Sequence, residues 1–159
     1  MAKLSTRTVK RIKNEVGQRH SPQQQRAFET AERILTAARD IVNRLGSDGL
    51  TARALADQCG LSTGAIYGHF ASMSSVLYQL YADRLNQELA LFKDVYGNDD
   101  GTRSLKELLR EFGKKDRALK WGGRADLALQ EAAQTDPKIK ALARHNAHLQ
   151  QEYIVHALR

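Results

Sequence analysis

Tyr67 and His69 stand two apart at the close of the stretch TARALADQCGLSTGAIYGHF, residues 51–70. A phenol and an imidazole at the end of a short helix can both donate hydrogen bonds to phosphate oxygens. Thr63, Gly64 and Ala65 stand just before them, small enough for a backbone to come close to a groove floor. Thr63 carries a hydroxyl for a base edge, and Ala65 a methyl for a thymine methyl. Arg53 brings a planar fork suited to a bidentate guanine contact. It is equally able to meet a phosphate or only water. This is recognition chemistry for a polyanion.

The elements around these residues must be helices. Thr51 is a good N-cap for a first short helix running to about Gln58. Gly60 supplies the positive φ of a sharp turn, and Leu61 buries it. Ser62 caps a second short helix, Thr63 to Gly68. Ala56, four residues before Gly60, is small where the two helices must approach. Helix N-termini at Thr51, Ser62 and Ser72 can also meet phosphates. Spacing alone fits a helix-turn-helix or two packed helices of an ordinary bundle.

Before this stretch, Phe28, Ala31, Ile34, Leu35, Ala38, Ile41, Val42 and Leu45 recur at three and four residues, predicting a helix from Arg26 to Leu45. After it, Ser72 caps a long helix with Leu77, Leu80, Tyr81, Leu85, Leu89, Phe92 and Tyr96 on its apolar side, roughly 36 Å in length. Residues 97–101, GNDDG, mark the clearest break. A further helix carries Leu105, Leu108, Leu109 and Phe112, with Gly113 and the charged residues 114–117 interrupting it. Gly122-Gly123 is another break, then a short helix from Arg124 to about Thr135. Asp136-Pro137 opens the last helix. Nothing alternates with period two, so no sheet is expected. Ile66 and Phe70 are expected in the core.

The run from Ala31 to Leu77 resembles the DNA-binding domain of the tetracycline-repressor (TetR) family of bacterial transcription regulators. Ile34-Leu35-x-Ala37-Ala38, Gly46 to Gly49, Thr51, Leu55-Ala56, Gly60-Leu61-Ser62-x-Gly64, Tyr67-x-His69-Phe70, Ser72 and Leu77 carry the likeness. One position departs from it. Met73 stands where the family usually has a lysine, which removes one expected phosphate contact. The resemblance assigns Tyr67 and His69 to phosphate and places Arg53 at the groove edge, as in some members.

The expected fold is therefore all-α. A three-helix helix-turn-helix domain (25–72) follows a basic flexible arm (1–24). A long helix joins it to a helical, partial effector-binding and dimerisation domain (73–159). The later segment Arg124-x-Asp126-Leu127-Ala128-Leu129 and the Asp136-Pro137 start resemble the family's later helices loosely. Only one helix follows Pro137, and the apolar pattern stops unfinished, so the chain is expected to be short by about one long helix.

The implied function is a DNA-binding, ligand-responsive repressor acting on a double-stranded operator as a homodimer. The alternative is an interaction module that titrates a full-length partner without binding DNA itself. Phe112, Trp121, His145 and Tyr153, with His148, are candidates to line a pocket for a small-molecule effector. They equally suit a core and a polar helix face. His145 and His148, three apart, lack a cysteine or acidic partner at ligand spacing, so no metal and no cofactor are expected.

Charge agrees. The 159 residues carry a formal +7. Lys3, Arg7, Lys10, Arg11, Lys13, Arg19 and Arg26 face only Glu15, so seven cations less one carboxylate give +6 to the first 26 residues. Such an arm suits nucleic acid, or is a solvated tail. One cysteine, Cys59, excludes an internal disulfide and reads as a small buried hydrophobe. There is no Gly-rich phosphate loop, Gly-x-Ser-x-Gly or HExxH, so no catalytic residues and no enzyme are expected. Without an apolar leader or a long apolar run, a cytoplasmic protein is expected, nucleoid-associated when DNA-bound.

Overall fold

A computed structural model of the chain describes residues 21–97, 99, 101–119 and 121–158. Its contacts fall into two units, residues 1–32 and 33–159. Seven α-helices and no strand occur among the described residues: α1 Pro22–Leu45, α2 Ala52–Cys59, α3 Thr63–His69, α4 Met73–Phe92, α5 Leu105–Ala118, α6 Gly123–Thr135 and α7 Pro137–Ala157. A 3-10 turn, Ser47–Gly49, and a π turn, Lys93–Gly97, link or extend them. The all-α expectation holds.

In the first unit, the expected arm is shortened. The helix begins at Pro22 instead of Arg26. Ser21 and Gln24 explain this. The Ser21 amide donates to the Gln24 side chain at 3.0 Å, and the Gln24 amide donates back to the Ser21 hydroxyl at 3.3 Å. That is a capping box, with proline at the first helical position, where its missing N–H costs nothing. Residues 1–20, the body of the basic arm, lie outside the described residues.

The second unit opens within α1. Ile34, Ala38, Ile41 and Val42 are buried against Leu55 and Ala56 of α2, Ile66 of α3, and Val76, Leu80 and Tyr81 of α4. The same apolar cluster takes in Ala125 and Ala128 of α6 and Ile139 of α7. The expected boundary at residues 72/73 is thus no gap in packing, because side chains from both sides of it share one core. Buried Tyr81 meets the Ser47 hydroxyl at 3.0 Å and so holds the turn after α1.

A second cluster lies further along. Leu91, Val95, Tyr96 and Leu108 are buried there with Phe92, Phe112, Tyr153 and Ile154 around them. The rings of Phe92 and Phe112 stand 4.6 Å apart, and those of Tyr96 and Phe112 5.7 Å. The long fourth helix was expected to run unbroken to Tyr96. Its last stretch, Lys93–Gly97, instead widens into a π turn that buries Val95 and Tyr96. Gly97 is required here, since a Cβ would lie 2.8 Å from the Tyr153 ring.

The loop that follows is tied down by Arg103. It reaches Asp99 and Glu111 at 2.7 Å each and the Val95 carbonyl at 2.9 Å. Helix α5 then runs through Gly113 and the charged residues that were expected to interrupt it. Lys115 explains the difference. It pairs with Glu111 one turn back at 2.7 Å and with Asp94 at 2.6 Å, so the charges form a solvated, paired helix face. Asp136 caps α7 as expected, accepting from the amides of Lys138 and Ile139 at 2.7 and 3.3 Å.

Candidate nucleic-acid interface

Three hydroxyl caps set the geometry of the reading head. Thr51 accepts from the Ala54 amide at 3.1 Å and starts α2. Gly60 then takes φ 62° and ψ 38°, and the Leu61 amide donates back to the Ala56 carbonyl at 2.9 Å. That left-handed cap lets the chain reverse within a few residues. Ser62 accepts from the Ala65 amide at 3.1 Å and starts α3. Ser72 and Ser75 exchange hydrogen bonds at 3.1 Å each and start α4.

Only one side of α3 is used for packing. Ile66 is completely buried, and Phe70 is half-buried against the same core. Thr63, Gly64, Tyr67, Gly68 and His69 are exposed, and Ala65 is half-buried. Nothing lies within 4 Å of where a Cβ on Gly68 would be. At Gly64 only the Ser62 hydroxyl would come near, at 3.8 Å. The helix therefore presents an unobstructed backbone with one hydroxyl, one phenol and one imidazole at its rim. A helix roughly 10–12 Å across with its side chains fits a major groove about 12 Å wide, and small residues on the exposed side let it approach closely. Arg53, on the first turn of α2, is also exposed. The structure thus brings Thr51, Arg53, Ser62, Thr63, Gly64, Ala65, Tyr67 and His69 together on two consecutive short helices.

The supports beneath are specific. Arg44 of α1 donates to the Gln58 side chain at 2.8 Å, and Gln58 reaches the Ala37 carbonyl at 3.5 Å, which fixes α2 against α1. Cys59 is partly buried on the same core, where desolvation raises its thiol pKa. It packs as an inert apolar residue.

Residues 34–80 match the family described as bacterial regulatory proteins, tetR family. In that segment the chain is similar to the DNA-binding part of TetR-family regulators. Over 71 residues it is 31% identical to the HTH-type transcriptional regulator UidR of Escherichia coli K12, covering 45% of this chain and 36% of that one. Over 44 residues it is 41% identical to the class A tetracycline repressor protein from transposon 1721 of Escherichia coli, covering 28% of this chain and 20% of that one. The aligned part of the chain thus spans about a third or less of these relatives' length. In fold it is similar to a TetR-family regulator from Mesorhizobium loti, with a TM-score of 0.65 and 14% identity over 80% of this chain and 65% of that one. A transcriptional regulator from Pseudomonas aeruginosa PAO1 gives a TM-score of 0.65 and 18% identity over 89% and 66%. The first of these relatives is thus a transcriptional regulator and the second a repressor.

The expected effector residues do not all meet in one place. Phe112 and Tyr153 meet in the second cluster. Trp121 packs instead on the first cluster and donates from Nε1 to Gln87 at 3.1 Å. His145 is exposed. His148 is exposed too and stands 3.5 Å from Glu152 on the outer face of α7. Both histidines thus lie on the exposed side of that helix, the polar-face alternative given for them. No group of three or more potential metal ligands occurs among the described residues. No described helix is long and apolar enough to cross a membrane.

Sequence reasoning missed Arg84. Its side chain is 8% exposed and lies near Glu88 (3.4 Å), Asp116 (3.7 Å) and Asp126 (3.3 Å). Its guanidinium also stands 5.9 Å from the Trp121 ring centre. A signal was present: Arg84 falls four and three residues after Leu80 and Tyr81, on the apolar face of α4.

Proposed function

We propose that this chain is a sequence-specific, DNA-binding transcriptional regulator that represses by occupying a double-stranded operator. The observation that carries the reading is the exposed, unobstructed face of α3 above a rigidly capped turn. Thr63, Gly64 and Ala65 read base edges, and Arg53 takes a guanine. Tyr67 and His69 hold phosphates, as do the amides at the starts set by Thr51 and Ser62. The basic arm of residues 1–20 adds a sequence-independent electrostatic term.

The regulator acts as a homodimer, because two such heads read half-sites roughly 34 Å apart. A small molecule bound among the later helices favours a conformer whose heads no longer fit successive grooves. The first core cluster supports such coupling, since α6 and α7 contribute Ala125, Ala128 and Ile139 to the packing beneath the head. The working compartment is the cytoplasm, at the nucleoid when DNA is bound.

Binding-site selection from random duplex DNA tests this reading, followed by sedimentation of the protein with and without the selected site. Recovery of a palindrome with two half-sites, and a dimer on it, supports the proposal. A protein that selects no sequence, or stays monomeric on a palindrome, overturns the symmetric repressor and favours the titrating module.

A further inference from the structure

The first turns of α4 and α7 face one another across a cleft of about 340 Å³. Ser72, Ser74, Ser75 and Tyr78 line it from one side, Asp136 and Lys138 from the other. Ser72 follows His69 by three residues, so this cleft adjoins the end of α3 that carries the phosphate-binding pair. Four observations give it a sign. Lys138 is exposed, and its ammonium has no hydrogen bond or ion pair among the described residues. Asp136, the acid beside it, is occupied: one of its oxygens accepts two backbone amides as the cap of α7. The Ser74 hydroxyl is exposed and the Tyr78 side chain is 36% exposed, both open to an incoming acceptor. No carboxylate other than that of Asp136 lines the cleft.

From this we infer that Lys138 extends the DNA interface beyond the helix-turn-helix, holding a backbone phosphate just outside the segment that α3 reads, with Ser74 and Tyr78 as neighbouring donors. The inference rests on the DNA-binding reading above. Its occupant is the phosphate backbone of duplex DNA. An unpaired, strongly hydrated ammonium on a flexible stem suits a point contact to phosphate and gives no base discrimination. The contact is notable for its source. Lys138 begins the helix that also supplies Ile139 to the shared core, so any shift of α7 moves a DNA contact directly.

The test measures binding of the full chain to one selected duplex by fluorescence anisotropy at several salt concentrations. Lys138→Gln is compared with Arg144→Gln, which removes the same charge from another face of α7, about 9 Å along the helix. In the homodimer the variant loses two phosphate contacts, one per subunit, which makes the slope of log K against log salt less negative by about 1.8. Those two losses weaken binding roughly sixty-fold near 0.1 M salt. Arg144→Gln leaves the slope as in the wild type. Thermal unfolding of both variants matches the wild type, because both side chains are exposed. An unchanged slope for Lys138→Gln overturns the inference while leaving the functional reading intact. Equal slope changes in the two variants overturn it also, by showing a general charge effect. A wild type that binds no duplex overturns the functional reading, and this inference with it. Inorganic phosphate displacing the wild type and Lys138→Gln with equal effect per bound duplex would likewise show that Lys138 meets no phosphate.

Discussion

Arg84 of α4 stands 3.3 Å from the Asp126 carboxylate of α6, and the same guanidinium nitrogen stands 3.7 Å from Asp116 of α5. One cation, 8% exposed, therefore joins three helices. Its Nε and Nη1 have no hydrogen-bond partner among the described residues. The arrangement is held by charge more than by geometry.

Truncating Arg84 to alanine leaves three carboxylates facing each other without their cation. Breaking a buried pair costs about 3–5 kcal/mol. Asp126 and Asp116 have side chains 46% and 39% exposed, so solvent screening reduces that to roughly 2 kcal/mol. Arg84→Met should cost less, because the stem still packs and the unpaired donors disappear. Urea denaturation of both variants checks the order. If Arg84→Ala denatures at the wild-type midpoint, the guanidinium holds nothing.

Glu88 gives the pH dependence. Burial raises its pKa above the ordinary 4.5, Asp116 and Asp126 add to the rise, and Arg84 and a hydrogen bond from Gln150 oppose it. The folded state therefore binds the proton more tightly than the unfolded chain. Stability from this group is full below 4.5 and is lost as the pH climbs through the raised folded value. Glu88→Gln removes that loss. The stability difference between variant and wild type should shift in the variant's favour as the pH rises from 4.5 toward neutrality. Parallel curves across that window would show that Glu88 does not titrate differently on folding.

Asn146 is 2% exposed on α7. Its amide nitrogen donates to the Leu142 carbonyl at 3.1 Å, while its Oδ1 has no partner among the described residues. Asn146→Leu keeps the branching at Cγ and removes an unsatisfied buried acceptor, so it should stabilise by about 1 kcal/mol. Calorimetric melting measures it. A lower melting temperature would mean that the carbonyl oxygen is satisfied in solution.

The proposed DNA contacts divide into positioning and reading residues, which behave differently when removed. Tyr67→Phe and His69→Ala should weaken binding at all sequences alike. Arg53→Ala should change base preference by about 1–3 kcal/mol at one position of each half-site, and Thr63→Ala should also alter the preference. Competition with single-base operator variants distinguishes them. An Arg53→Ala protein with wild-type preferences would move Arg53 to the phosphate group.

The helix-turn-helix was legible in the sequence because its determinants are local. Thr51, Ser62 and Ser72 cap helices that begin one residue later, and Gly60 adopts its positive φ whatever lies elsewhere in the chain. The Ser21–Gln24 cap was equally local and was simply read as arm. In α7, Ile139, Leu142, Asn146, Leu149 and Tyr153 recur at three and four residues and are buried or half-buried, while His156 is exposed. Tertiary structure alone decided what depends on residues far apart in the chain. Gly97 against Tyr153 belongs to a π turn that periodicity could not show, because both residues fit an ordinary helix until the two segments meet. Arg84 gains two of its three carboxylates from α5 and α6, thirty or more positions away. Phe112 and Trp121 went to different cores, the one beside Phe92 and Tyr96 and the other bonded to Gln87. The sharing of one core by the reading head and the last helices is of the same kind. Spacing names the apolar face of each helix, but only packing chooses which faces meet.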